Sequence, residues 1–414
     1  MTFSKPFRTG LKHYVLGQSF TRFLSVCLIG IISTTIFATD ISKTAIQASD
    51  SKSPALLPAQ SFTSDLSFDI FVKERKHVPD PEYANLSFYV LIGSTPGTVE
   101  IPECYDRYFS FGIGSGKYLS TYVAELKKKK ISRIRLTDCT NAQLAELKNS
   151  GFLDSLESLH LSGCDISDLT PLKGLTNLKC LALVKCEKLS DLNPLAGLKN
   201  LRWLRISYCE KASDLTPLEN LTNLEYFCFS YRSAITDLTP IANLKKLKFL
   251  TLWCCKLSDA KALVGLTNLK DLSLWECGVT DLEPLSKLTN LKILALSCQK
   301  TTNLKPLANL INVKRLYLYK FENLTDLIPL ENLKNLTSLN LSGCSKVSSL
   351  KPLANLADLE DLNLAACHEI DSLKSLANLK KLKELNMFEN KNITKSDIAE
   401  LQEKLPELKI KLQK

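Results

Sequence analysis

The sequence predicts an α/β solenoid: a curved parallel β-sheet on the inside, short helical turns on the outside, a small N-terminal region and a C-terminal helical cap. Three observations predict it. From residue 131 the chain repeats itself, and after one irregular interval the repeats begin every 22 or 23 residues. Each repeat contains a leucine alternation with the period of a strand, and then a proline-containing DLxPL segment with the signature of a short turn. No repeat holds enough apolar residues to fold alone, so the units must stack.

Repeat starts fall at Ile131, Leu156, Leu178, Leu201, Leu224, Leu247, Leu269, Leu291, Val313, Leu336, Leu359 and Leu382. The shared pattern is LxxLxLxxC, an aliphatic residue, Ser or Thr, then DLxPLxxLxN. Residues 269–290, LKDLSLWECGVTDLEPLSKLTN, show it whole. The LxxLxL half reads as a strand whose leucines enter a core while the intervening residues face outward. In the second half, Thr170-Pro171, Asn193-Pro194, Thr216-Pro217 and Thr239-Pro240 read as an N-cap residue followed by proline at the first helical position.

This motif resembles the leucine-rich repeat, in the short 22-residue form of bacterial internalins and protein-phosphatase regulators. The resemblance implies protein recognition on the concave strand face, without catalysis or cofactor. One departure stands out: at the ninth position, where internalin-type repeats carry an asparagine ladder, Cys139, Cys164, Cys186, Cys209, Cys255, Cys277, Cys344 and Cys367 occur instead. They come singly, one repeat apart, so they lack the paired spacing of a metal site. They read as small, weakly hydrogen-bonding core residues.

The remaining chain divides around the array at 131–392. Residues 1–39 carry Lys5, Arg8, Lys12 and Arg22 ahead of the uncharged run FLSVCLIGIISTTIFA, and read as a signal peptide or membrane anchor. Residues 40–65 read as a flexible linker and 66–130 as a small N-terminal cap or accessory region of a few strands, with a helix entering the array. Residues 393–414 read as the C-terminal cap. Within 66–130, FGIGSGKY fails as a phosphate loop, because Phe111 stands where glycine is needed and Tyr118 replaces the magnesium-binding hydroxyl.

The net charge of +10 is dispersed, with no basic block beyond residues 127–130, so a nucleic-acid partner is not expected. The expected product is a bacterial, exported monomer, whether secreted, periplasmic or on the cell surface. The alternatives are an anchor through residues 23–38 or delivery into a host cell as an effector or enzyme regulator. The many cysteines demand either burial or a reducing compartment.

The candidate site is aromatic. Tryptophan occurs three times in the chain, and Trp203, Trp253 and Trp275 all take outward positions of the strand. Tyr208, Tyr226, Tyr231, Phe249, Tyr317 and Tyr319 take outward positions too, with Arg205 and Arg315 among them. Aromatic residues beside arginine make the composition of an interface hot spot, and these eleven are the expected protein-binding residues. The four histidines are scattered and only His160 lies on this face, so no catalytic or metal residue is assigned.

Overall fold

The computed structural model describes residues 119–230, 235–253, 256–298 and 300–412, and by backbone alone five strands between residues 60 and 112. Those five are β1 (Gln60–Ser64), β2 (Asp69–Glu74), β3 (Phe88–Ser94), β4 (Gly97–Ile101) and β5 (Arg107–Gly112). Twelve repeat strands follow: β6 (Arg133–Thr137), β7 (Ser158–Ser162), β8 (Cys180–Val184), β9 (Trp203–Ser207), β10 (Tyr226–Ser230), β11 (Phe249–Trp253), β12 (Asp271–Trp275), β13 (Ile293–Leu296), β14 (Arg315–Leu318), β15 (Ser338–Asn340), β16 (Asp361–Asn363) and β17 (Glu384–Asn386). A last strand, β18 (Lys409–Lys411), closes a curved, open sheet in sequence order.

Every repeat strand begins at the third position of its repeat, and neighbours pair in parallel with identical positions opposed, as in Leu252↔Leu274 and Trp253↔Trp275. The register is held by burial. Leucines at the fourth and sixth positions, such as Leu272 and Leu274, are fully buried, and a slip of one residue would turn them all to water. One continuous core runs from Leu119 to Leu408 between the sheet and an outer row of 3₁₀ turns.

The outer turns differ from the sequence expectation in their capping. The residue before each proline is the first residue of the turn, not its cap, and no cap side chain bonds the turn. The preceding aspartate does that work: Asp168, Asp191, Asp214 and Asp237 accept from the backbone N–H of Thr170, Asn193, Thr216 and Thr239 at 2.7–2.9 Å. A tight 3₁₀ turn leaves its first N–H pointing back at the Asp side chain, which reaches it as an Asx turn.

At the eighth position the backbone turns left-handed, with φ of 54° at Lys185, 56° at Tyr208, 51° at Glu276 and 55° at Lys320. This swings the ninth residue inward. Its thiol then reaches the sixth-position carbonyl of the preceding repeat: Cys209 to Leu183 at 3.6 Å, Cys344 to Leu318 at 3.4 Å and Cys367 to Leu341 at 3.1 Å. In the last repeat Asn390 makes the same bond to Leu364 at 2.8 Å. A second ladder, of asparagines that end most of the repeats, links Asn200, Asn223, Asn290 and Asn335 to backbone carbonyls one repeat earlier.

The ends depart from the period. The irregular first repeat holds an α-helix, α2 (Asn141–Asn149), in place of the 3₁₀ turn, capped by a Thr140–Gln143 capping box. A helix before the array, α1 (Leu119–Lys128), buries Leu119, Val123 and Leu126. At the other end α3 (Lys395–Lys404) is followed by β18, so this segment adds a strand as well as a helix. Upstream, β5 joins the first repeat strand in parallel, and β2 and β3 add antiparallel strands to the same sheet. β1 pairs with β4, which places a strand where the sequence suggested the end of the linker. The leader (1–39) and the linker up to residue 59 lie outside the described residues. Among those described, no helix is long and apolar enough to cross a membrane.

Two substitutions test this account by urea unfolding. Leu316→Ala should lower stability by about 2–5 kcal/mol through its cavity. Cys344→Asn, which copies the arrangement of Asn390, should melt within about 4 °C of the unsubstituted protein.

Candidate functional site

Because the register is exact from repeat to repeat, side chains at one position form rows across the concave face, about 4.8 Å apart. The third-position row runs Trp203, Tyr226, Phe249, Asp271, Ile293, Arg315. Trp203 stacks on Tyr226 with ring centroids 5.0 Å apart and planes 13° apart, and Tyr226 meets Phe249 at 6.2 Å. Side-by-side parallel strands bring the rings to stacking distance without any rearrangement.

A second aromatic group lies at the seventh position. Trp253 and Trp275 are register partners, and Trp275 meets Tyr319 at 5.9 Å across the small Ser297 between them. Lys320 Nζ lies 5.2 Å from the Tyr319 ring centroid. Between the two rows the fifth position is floored by small residues, Cys228, Thr251, Ser273 and Ala295, and bounded by Arg205 and Tyr317. The result is a trough of small residues flanked by two aromatic walls that are offset along the sheet and overlap at β11, where Phe249 and Trp253 flank Thr251.

The structure thus gathers Trp203, Tyr226 and Phe249 into one wall and Trp253, Trp275 and Tyr319 into the other, with all six half-buried. Arg205 Nε donates to Ser207 Oγ at 3.0 Å, and Ser207 Oγ lies 2.8 Å from Ser230 Oγ. Tyr208 stands just beyond β9 on its left-handed backbone, while Arg315 and Tyr317 sit at the far end on β14. Tyr231 lies outside the described residues, as does Cys255.

Two ionisable groups that the sequence reading did not place in the site belong to this surface. Asp271 interrupts the aromatic third-position row; burial pushes its carboxyl up to about 7, opposed by a Ser273 hydrogen bond and by Arg315. His160, in the fifth-position row, is pulled down to about 3, first by burial and then by Arg135 and Arg205. Among the described residues no group of three His, Cys, Asp or Glu side chains could hold a metal ion.

The Asp271 shift carries a sign that can be checked. The folded state holds this proton more tightly than the unfolded chain, so the stabilisation it provides is present at low pH and lost as pH rises from about 4 through about 7. Asp271→Asn should therefore raise the melting temperature at pH 8 and leave it unchanged at pH 4. An equal effect at both would remove the burial cause.

A family model described as leucine rich repeats (2 copies) matches residues 154–197 and 267–309. Among solved structures, an internalin (inlF) from Listeria monocytogenes is 29% identical with a TM-score of 0.56, covering 64% of this chain and 77% of its own. A leucine-rich repeat protein from Leptospira interrogans is 21% identical with a TM-score of 0.50, covering 69% of this chain and 91% of its own, and shares the fold. No curated protein matches the chain at significance. With the period in the sequence, parallel strands in strict register and these matches, the chain is a leucine-rich repeat protein that resembles the internalins.

Proposed function

We propose that the protein is a non-enzymatic binding module that holds a protein partner in the aromatic trough of its concave face. Its fold is a general scaffold for protein–protein interaction. The observation that carries the finer reading is the pair of offset walls of half-buried rings, one pair stacked and two tilted, beside a floor of small residues. Packing of the solenoid alone does not call for such rings, since the C-terminal repeats stack as well with Ser338, Asn340, Asn363 and Ala365 on the same face. Large rings lose little rotamer freedom on binding and bury much area, which suits them to anchor a partner.

The N-terminal run of residues 1–39 supports export. Ten cysteines among the described residues are free, and nine of these are buried. Burial pushes the thiols of Cys298 and Cys344 up to about 12, which makes them poor nucleophiles in an oxidising compartment. The same free thiols suit a second reading, an effector or enzyme regulator delivered into the reducing interior of a host cell.

A photo-crosslinking residue placed at Ser273, on the trough floor, should capture one protein from the native compartment. The same residue at Ile328, exposed on an outer turn, should not. Trp253→Ala with Trp275→Ala should abolish the Ser273 crosslink and leave the circular dichroism melt nearly unchanged; capture that survives this change refutes the trough as the site. Intact mass with a free-thiol count on native protein separates the locations. Loss of residues 1–38 with unreactive thiols means export, and a full-length mass in the membrane fraction means an anchor.

A further inference from the structure

The concave face has a second feature, at its N-terminal end. The fifth-position row opens with Arg135, His160, Ala182 and Arg205 on four successive strands. Three strand spacings separate the two arginines, about 14 Å at the backbone. Each guanidinium is steadied by one serine: Arg135 Nη2 donates to Ser162 Oγ at 3.3 Å and Arg205 Nε to Ser207 Oγ at 3.0 Å. Arg135 Nε is buried with no hydrogen-bond partner.

Among the described side chains no carboxylate answers these charges. Across the first five repeats, the third, fifth and seventh positions of the described strands carry Arg133, Arg135, His160 and Arg205 and neither Asp nor Glu. The nearby acids lie at the strand entry and are already engaged. Glu157 accepts from Lys179 at 2.7 Å and faces Arg133 at 3.6 Å, and Glu225 accepts from Lys248 at 2.6 Å and faces Arg202 at 3.8 Å. Asp138 stands exposed at the exit of the first strand, on left-handed backbone.

The row therefore sets two like charges on one face, with Arg135 partly desolvated. Burial and the charge of Arg205 hold the Arg135 guanidinium below its usual value, and the same two arginines help keep His160 neutral. Within the fold alone such a row is unfavourable, because the Arg135 guanidinium has given up water without gaining an anion among the described side chains and faces a second positive charge in its row. Arginine rather than lysine also matters, since the planar fork can take a carboxylate with two parallel hydrogen bonds.

We infer that Arg135 and Arg205 bind carboxylates of an acidic segment of the protein partner, laid across the strands beside the Trp203–Tyr226 stack. This rests on the proposed protein-binding role of the concave face. In an extended chain at about 3.3 Å per residue, two acidic side chains roughly four residues apart span the two arginines. An apolar residue beyond the second acid then falls against Trp203. His160, uncharged between the arginines, adds a hydrogen-bonding group without further repulsion.

The probe is a fluorescently labelled pool of twelve-residue peptides carrying Glu at every fourth position with aliphatic and aromatic residues between. Controls are the same pool with Lys for Glu, an oligouridylate strand, and vesicles of phosphatidylglycerol. The full chain should bind the Glu pool, more weakly as salt rises, and ignore the Lys pool. R135Q with R205Q should weaken that binding at least about tenfold, because each removes a partly buried charge partner. R202Q, whose charge is already matched by Glu225, should leave it unchanged.

Equal binding of the Glu and Lys pools, or tighter binding of oligouridylate or vesicles than of the Glu pool, overturns the inference. So does a Glu-pool affinity that survives the double change. If R135Q with R205Q melts early, R205Q alone is measured by the same criteria. Should the Glu pool fail while the Ser273 crosslink persists, the acidic segment is wrong and the binding trough stands; loss of both removes the binding role itself.

Discussion

Each repeat can hide its leucines only against the next repeat, and that one constraint sets the rest of the structure. A 22-residue unit with two inward leucines on its strand has no core of its own, so its neighbours must lie in strict register to close one. Register in turn makes rows. Once identical positions are about 4.8 Å apart, whatever residue the sequence places at an outward position becomes the neighbour of its counterparts in the repeats on either side. The Trp203–Tyr226 stack and the Arg135–Arg205 row are both products of that spacing, and neither could form from residues a turn out of step.

The strand exit is where this regularity meets resistance. Left-handed backbone at Lys185, Tyr208, Glu276 and Lys320 is a conformation that side chains with a Cβ disfavour, by about 1 kcal/mol or more at each. It persists because the turn delivers the ninth residue into the core, where Cys209, Cys344 and Cys367 satisfy carbonyls of the repeat before. A thiol is a weak donor, but it is small and can be buried without a second partner. Asparagine does the same at position 390 with a shorter bond, yet an amide brings a carbonyl oxygen that must also be satisfied. Asn390 Oδ1 is in fact buried with no partner. Cysteine at the ninth position avoids that cost.

The sequence was most legible where it was periodic. Strand positions, the inward leucines and the outward direction of Trp203, Trp253 and Trp275 all follow from alternation, which requires only counting. The capping of the turns was misread because threonine before proline has the form of an N-cap, whereas Asp168 and its counterparts, two residues earlier, take the first N–H of the turn as an Asx turn. Asp271 could not be singled out as a letter, since a polar residue at an outward strand position is ordinary. Its perturbation comes from burial in a row where its register partners, Phe249 and Ile293, are 22 positions away on each side. The helix α2 was hidden for the opposite reason: it occupies the one interval where the period fails.

The two ends of the concave face are finished differently, and the difference bears on where a partner can gain most. Toward the C-terminus the fifth-position residues Asn340, Asn363 and Asn386 each turn their amide oxygen onto the backbone N–H two residues ahead, at 2.8–3.1 Å. Those side chains complete the ends of strands only three residues long. Their amide oxygens are used within the chain, so a ligand donor there would compete with the fold. At the N-terminal end the same row holds guanidinium groups whose only side-chain bonds among the described residues are to single serines, and the centre holds half-buried rings, one pair stacked and two pairs tilted. Polar groups with few internal bonds lie next to half-buried aromatic surface, and both lie on strands whose spacing the leucine core has already fixed. A partner that meets them has little ordering left to impose, so the entropic cost of binding falls mainly on the partner's own segment.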